Sequence, residues 1–286
     1  MNPLVSVIIP AYNAESYILE TLFSVYKQSF NELEIIVVND GSTDSTRAIL
    51  EDQARKHSFL SLVSKDNSGV ADSRNIGIQM AQGNYIALLD SDDTWDSKNL
   101  ENKISFLQKN PDYSWVYCNL LCIADNGGLI GEHPEGRDDN ILENILKWEG
   151  EVVPGPCSNI VFSASLKNEI EFDINLSTAA DQDFCLQLAQ LSKGKCLKDR
   201  LVNYRVLENS MSRDISVMEK DHIAVFKKAD QNKLFKSKWF KRRCFSNLYK
   251  ILAGSWWHDG GKKIKGLKFV FKSILIYPPI VRKYFT

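Results

Sequence analysis

The sequence predicts an α/β fold built on a mostly parallel sheet with flanking helices. Three observations carry that expectation. Strand-like and helix-like stretches alternate through the first 90 residues. Runs such as Val5-Ser6-Val7-Ile8-Ile9 and Ile35-Ile36-Val37-Val38 are nearly all apolar, as strands covered on both faces must be. Between one run and the next there is room for a single helix, the spacing of βαβ units.

Taken in order, Leu4–Ile9 reads as a strand ended by Pro10, and Ala14–Gln28 as a helix with its apolar period through Ile18, Leu22 and Val25. Glu34–Val38 is a second strand. Thr43–His57 is a helix capped by Ser42 or Thr43. Leu60–Val63 is a third strand, Val70–Ala81 a helix stopped at Gly83, and Tyr85–Leu89 a fourth strand ending in Asp90. Further on, Lys98–Gln108 and Asp181–Leu191 are helical, and Trp115–Leu121, Ile160–Ser163 and Cys196–Val202 are strands. Residues 125–140, rich in Gly, Asp, Asn and Glu, read as a mobile loop.

At 286 residues the chain can bury a large core without staples. Its six cysteines form no C-x-x-C pair and only four histidines could complete a zinc site, so they read as reduced thiols in a cytosolic protein. No basic leader precedes an apolar stretch, and no run reaches the roughly 18 apolar residues of a spanning helix. The expectation is a cytoplasmic protein. The net charge of −1 hides an asymmetry: residues 1–226 carry 19 Lys+Arg against 34 Asp+Glu, whereas residues 227–286 carry 16 against 2. The division expected is an α/β domain over 1–225 and a basic helical tail over 226–286, each with its own partners.

In an open parallel sheet, ligands bind beyond the carboxyl ends of the strands. Three such ends are polar here: Pro10-Ala11-Tyr12-Asn13, Asn39-Asp40-Gly41-Ser42-Thr43-Asp44 and Asp90-Ser91-Asp92-Asp93. The first has no glycine, so it is neither the G-x-G-x-x-G turn of a dinucleotide enzyme nor the Gly-rich basic loop of a nucleotidyltransferase. In the third, three carboxylates in four residues repel one another unless solvated or bound to a cation, and hard oxygen ligands suit Mg²⁺ or Mn²⁺.

Val5–Asn13, Ile35–Thr46, Asn67–Gly77 and Tyr85–Trp95 together resemble the successive signatures of family 2 glycosyltransferases, closely over residues 4–110 and more loosely over 150–213. The resemblance implies the GT-A fold. It also implies an inverting transfer of sugar from a nucleotide donor, UDP-linked by preference, to a hydroxyl of a glycan or glycolipid in surface polysaccharide synthesis. Pro10 and Tyr12 resemble the turn that packs on the nucleobase. Asp40 resembles the carboxylate that accepts the uracil N3–H. Arg74 resembles an arginine contacting base or phosphate, the alternative being a salt-bridged surface residue. Asp90 resembles the D-x-D member near the ribose and Asp92 the Mn²⁺ or Mg²⁺ ligand.

The family's catalytic base matches Asp181, although Ala180 replaces the glutamate that usually precedes it. Asp183 is expected to be structural. Leu207 stands where the family's Y-R-x-H-x-x-S-x-S pattern, here Tyr204–Ser212, has its histidine. These two departures leave a catalytically silent sugar-nucleotide binding module as the alternative. In the tail, Phe240, Cys244, Leu248, Ile251 and Leu252 recur at helical spacing, and so do Ile264, Leu267, Val270, Phe271, Ile274 and Leu275, with lysines between. Apolar stripes with Trp239, Trp256, Trp257 and Tyr277 favour peripheral contact with the cytoplasmic face of a membrane over nucleic-acid binding. The alternative is that both stripes pack on the catalytic domain.

Overall fold

The computed structural model describes residues 4–207 and 214–284. The chain opens with β1 (Val5–Ala11), α1 (Ile18–Tyr26), β2 (Leu33–Asp40), α2 (Thr46–Lys56), β3 (Leu60–Lys65), α3 (Val70–Met80) and β4 (Tyr85–Leu88). It continues with β5 (Thr94–Trp95), α4 (Asn99–Lys109), β6 (Tyr113–Ile123), β7 (Leu129–Glu132), α5 (Ile141–Lys147), α6 (Pro156–Asn159), β8 (Val161–Ser163), α7 (Ala180–Leu191) and β9 (Lys193–Arg205). Then come α8 (Ile215–Gln231), α9 (Lys238–His258), α10 (Lys263–Ile276) and a 3-10 stretch, Pro278–Tyr284.

The strands form one mixed sheet in the order β3-β2-β1-β4-β8-β6-β9-β5, with β7 beside β6. β1 to β4 pair in parallel, and β6 with β9 likewise; β8 runs antiparallel to both β4 and β6 and joins the two blocks. Both faces are buried, as the apolar strands require. Val5, Val7 and Ile9 face a layer with α1, α2 and α4, while Ile8, Ile36 and Val38 face a layer with α3, α5, α7, α8 and α9.

Several boundaries differ from the sequence expectation for local reasons. α2 starts at Thr46, not Thr43, because Thr43 N–H donates to Asn13 Oδ1 at 2.8 Å and Asp44 Oδ1 accepts Thr46 N–H at 3.0 Å. α3 closes on Ala81, and Gly83 is not its stop. A Cβ on Gly83 would stand 2.7 Å from the Ser6 backbone nitrogen, so this glycine lets the chain pass close to β1. The stretch 125–140 contains β7, hairpinned onto β6.

The 225/226 division falls inside α8, a helix the sequence pattern did not reveal. The first tail stripe is core: Phe240, Cys244, Leu248 and Leu252 of α9 join the cluster built on α7 and α8. Glu149 anchors α9 by accepting from Arg243 at 2.9 Å, Asn247 at 2.7 Å and Lys283 at 2.7 Å. α10 lies on α9 through the Ser246–Ser273 hydroxyl pair at 2.9 Å and through Gly266, where a Cβ would meet Ala253 O at 3.0 Å. Its outer face is different. Ile264, Leu267, Phe271 and Leu275 are all exposed, up to 80% for Leu275. Among the described residues no helix is long and apolar enough to cross a membrane. All six cysteines are free.

Candidate active site

The site lies where the parallel strands end. Pro10 pairs with Val38 and Ala11 with Asn39, and β4 flanks β1 on its other side, so the exit of β1 stands between those of β2 and β4. The first two exits are tied together. Ser42 Oγ accepts Asn13 N–H at 3.1 Å, Thr46 Oγ1 accepts Ala14 N–H at 2.7 Å, and Glu15 accepts Ser45 N–H at 2.8 Å. Asn13 adopts φ +48 to make this turn. Pro10 is buried within the strand, and Tyr12 rises from the rim half exposed, at 51%.

Asp40 is buried and heavily bonded. Its Oδ1 accepts from Lys65 and, at 2.9 Å, from Ser68 N–H; its Oδ2 accepts from Gly69 N–H at 2.9 Å. It therefore fixes the 65–69 loop that leads into α3. Lys65, whose second carboxylate is Asp72 at 3.2 Å, was not marked by any sequence motif.

Arg74 is not a surface residue. Its side chain is only 5% exposed, and its guanidinium donates to Asp90 Oδ1 at 2.6 Å and to Asp181 Oδ1 at 3.0 Å. It also lies 5.1 Å from the ring centroid of Phe172. Burial would lower its pKa; the Asp90 carboxylate, with Asp181 beside it, reverses that and raises it, so it stays charged. Three sequence-predicted residues thus meet although Asp181 lies 107 residues from Arg74 in the chain.

The acidic run divides. Asp93 points inward: it is 1% exposed, its Oδ1 accepts Arg205 N–H at 2.7 Å, and burial followed by the Asp92 and Asp90 charges raises its pKa. Arg205 also reaches the Asp92 carbonyl at 2.7 Å and Glu20 at 2.6 Å, fixing the run from below. Burial, then the Asp90 carboxylate, push the Asp92 carboxyl up to about 6. Among the described residues no group of three or more His, Cys, Asp or Glu side chains could hold a metal by itself. Asp92 nonetheless fits a small cation. Mg²⁺ is commonly held by one or two carboxylates plus substrate phosphates, and a desolvated carboxylate beside another gains from a counter-charge.

Asp181 opens α7 and also meets the buried Cys157 thiol, whose pKa burial pushes well up. Asp183 is structural, as expected: it is buried against Lys228 of α8 at 2.7 Å and Gln187 at 2.8 Å. α8 further supports this region through Asp221, which accepts Ser177 N–H at 2.7 Å and Thr178 N–H at 2.8 Å. Leu207 is half-buried; Glu208 to Ser212 of the C-terminal pattern lie outside the described residues.

The family model described as Glycosyl transferase family 2 matches residues 6–166. A putative teichuronic acid biosynthesis glycosyltransferase, TuaG of Bacillus subtilis, is 31% identical over 83% of this chain and 93% of its own length. Chondroitin synthase of Escherichia coli is 29% identical over 78% of this chain but only 32% of its own length. Among solved structures, S. aureus TarS in complex with UDP-GlcNAc superposes with a TM-score of 0.62 at 17% identity, over 98% of this chain and 91% of that one. A mannosyltransferase from Pyrobaculum calidifontis in complex with GDP-Man and Mn²⁺ gives 0.61 at 19% identity, over 96% and 87%. These likenesses identify the fold as GT-A.

Proposed function

The chain belongs to glycosyl transferase family 2, and from that premise we propose that it inverts the anomeric centre of a UDP-linked sugar while transferring it to a hydroxyl of a growing surface polysaccharide. The observation that carries this reading is the shared guanidinium of Arg74, which joins a donor-side carboxylate, Asp90, to the base candidate Asp181.

Each residue has a role in a single displacement. Tyr12 packs on the nucleobase above Pro10. Asp40 receives the uracil N3–H through Oδ2, which already carries one bond from Gly69. Asp90 receives a ribose hydroxyl. Asp92 would hold Mn²⁺ or Mg²⁺, which would supply positive charge to offset that developing on the diphosphate. Asp181 takes the proton of the acceptor hydroxyl as its oxygen bonds to C1 and the C1–O bond to UDP breaks. Arg74 is a positioning residue here, since one arm is held by Asp181 and the other by Asp90. Helix α10 supports the peripheral part of the reading. Its exposed Ile264, Leu267, Phe271 and Leu275 share a face, with exposed Lys263, Lys268 and Lys272 beside them, which suits an anionic cytoplasmic leaflet.

The test is Asp181→Asn. Nearly isosteric, it should bind UDP with Mn²⁺ as tightly as the parent by calorimetry while turnover of a UDP-sugar falls by roughly 10²-fold or more. Product from an α-linked donor should show a β coupling constant by NMR. Near-normal turnover in the variant, or retained configuration, would overturn the assignment.

A further inference from the structure

Beside Asp181 lies a cavity of about 440 Å³, within the size range of small-ligand sites. Asp181 and Gln182 of α7 form one wall, the turn following Trp148 a second, and His222 of α8 a third. Trp148 closes α5 at φ +47, a left-handed conformation that a bulky residue holds only where its surroundings impose it. Its indole lies flat against the His222 imidazole, centroids 4.3 Å apart and planes 11° apart. His222 Nδ1 faces the Met218 carbonyl at 2.9 Å, so Nδ1 carries the proton and Nε2 is an acceptor. Burial lowers the pKa of this ring and keeps it neutral.

The charge of the cavity is one-sided. Its described lining holds two carboxylates, Asp181 and Glu151, and neither lysine nor arginine. Arg74 balances Asp181 from the protein interior and is not part of the lining.

We propose that this cavity receives the accepting unit of the acceptor, and that this unit is a neutral sugar ring, not a uronate or a phosphodiester-linked polyol. This rests on the reading of Asp181 as the base. A sugar ring presents a hydroxyl that donates to His222 Nε2, and a C–H face that packs on the face of the Trp148 indole that His222 leaves uncovered. An anionic unit would be desolvated against Glu151 with no counter-charge in the described lining. Only the unit in the cavity is constrained; neighbouring units of the polymer lie outside it.

Saturation-transfer NMR with the full chain, UDP and Mn²⁺ tests this. The probes are the methyl glycosides of glucose, galactose and their N-acetylamino forms, the matching methyl uronates, and glycerol 3-phosphate. At least one neutral glycoside should bind at least tenfold tighter than its uronate and than glycerol phosphate. Trp148→Ala should remove that signal, Trp148→Phe should retain part of it, and Glu151→Lys should admit uronates. UDP affinity, measured in parallel, must remain at the parent value in these variants, which verifies the fold and reads the donor site separately. Equal or tighter binding of a uronate or of glycerol phosphate overturns the proposal. So does a neutral-glycoside signal untouched by Trp148→Ala, or silence from every neutral probe while UDP binds. Absence of UDP binding in the parent would instead strike the donor reading beneath it.

Discussion

Arg74 and Asp181, 107 residues apart in the chain, meet at 3.0 Å, and the same guanidinium reaches Asp90 at 2.6 Å. The arginine is buried while its partners are 29% and 37% exposed, so the cation sits in the protein and the carboxylates face the cleft. Lysine is a point donor and cannot reproduce the two-armed fork. Arg74→Lys should therefore lower unfolding free energy in urea and reduce kcat more than UDP affinity. A variant with parental stability and turnover would dissociate Arg74 from both carboxylates.

Asp40→Asn separates two duties of one side chain. The amide keeps the size but loses the charge that Lys65 faces, and its nitrogen cannot accept. UDP binding should weaken by about 1–3 kcal/mol, the usual cost of losing a hydrogen bond to a charged group. Unchanged UDP affinity by calorimetry would confine Asp40 to its structural duty in the 65–69 loop.

Much of this site was legible in the chain, and the reason is local. Strand ends carry their own polar clusters, so Tyr12, Asp40 and Asp90 could be placed on one rim from pattern alone. The signals failed where distant segments decide. Asp93 reads like Asp92 in sequence, yet it turns inward because Arg205, on the last strand, offers its N–H there. α8 carries a mixed pattern, since Asp221 and Lys228 are turned toward the catalytic half of the chain and not to solvent. Trp148 and His222 come together only once α5 and α8 have docked, and no spacing in the sequence announces the pair.

The attachment of α9 should depend on pH through Glu149. Burial alone would raise its pKa; hydrogen bonds and charge from Lys283, Asn247 and Arg243 outweigh that and hold it down to about 2, against an ordinary value of 4.5. A depressed carboxylate adds stability that is full above its unfolded pKa and is lost as the pH falls through the folded one. Melting temperature should therefore fall between pH 4.5 and about 2, and Glu149→Gln should flatten that part of the profile while destabilising the protein at pH 7. A parallel decline in parent and variant would assign the loss to other carboxylates.

The two tail stripes invite opposite treatment. α9 buries Phe240, Cys244, Leu248 and Leu252 in the main core, so truncation ahead of it would unmake the fold and reveal nothing about membranes. α10 buries only Gly266, Phe269 and Ser273 and leaves Ile264, Leu267, Phe271 and Leu275 in solvent. The discriminating change is therefore Phe271→Ser with Leu275→Ser, which touches the exposed face alone and should leave melting temperature and UDP affinity unaltered. The parent should float with vesicles containing anionic lipid and be released in part by high salt, since each basic residue near such a surface adds about 1 kcal/mol that salt screens. The double variant should stay in the soluble fraction. If parent and variant partition alike, the exposed face of α10 does not serve as the membrane contact.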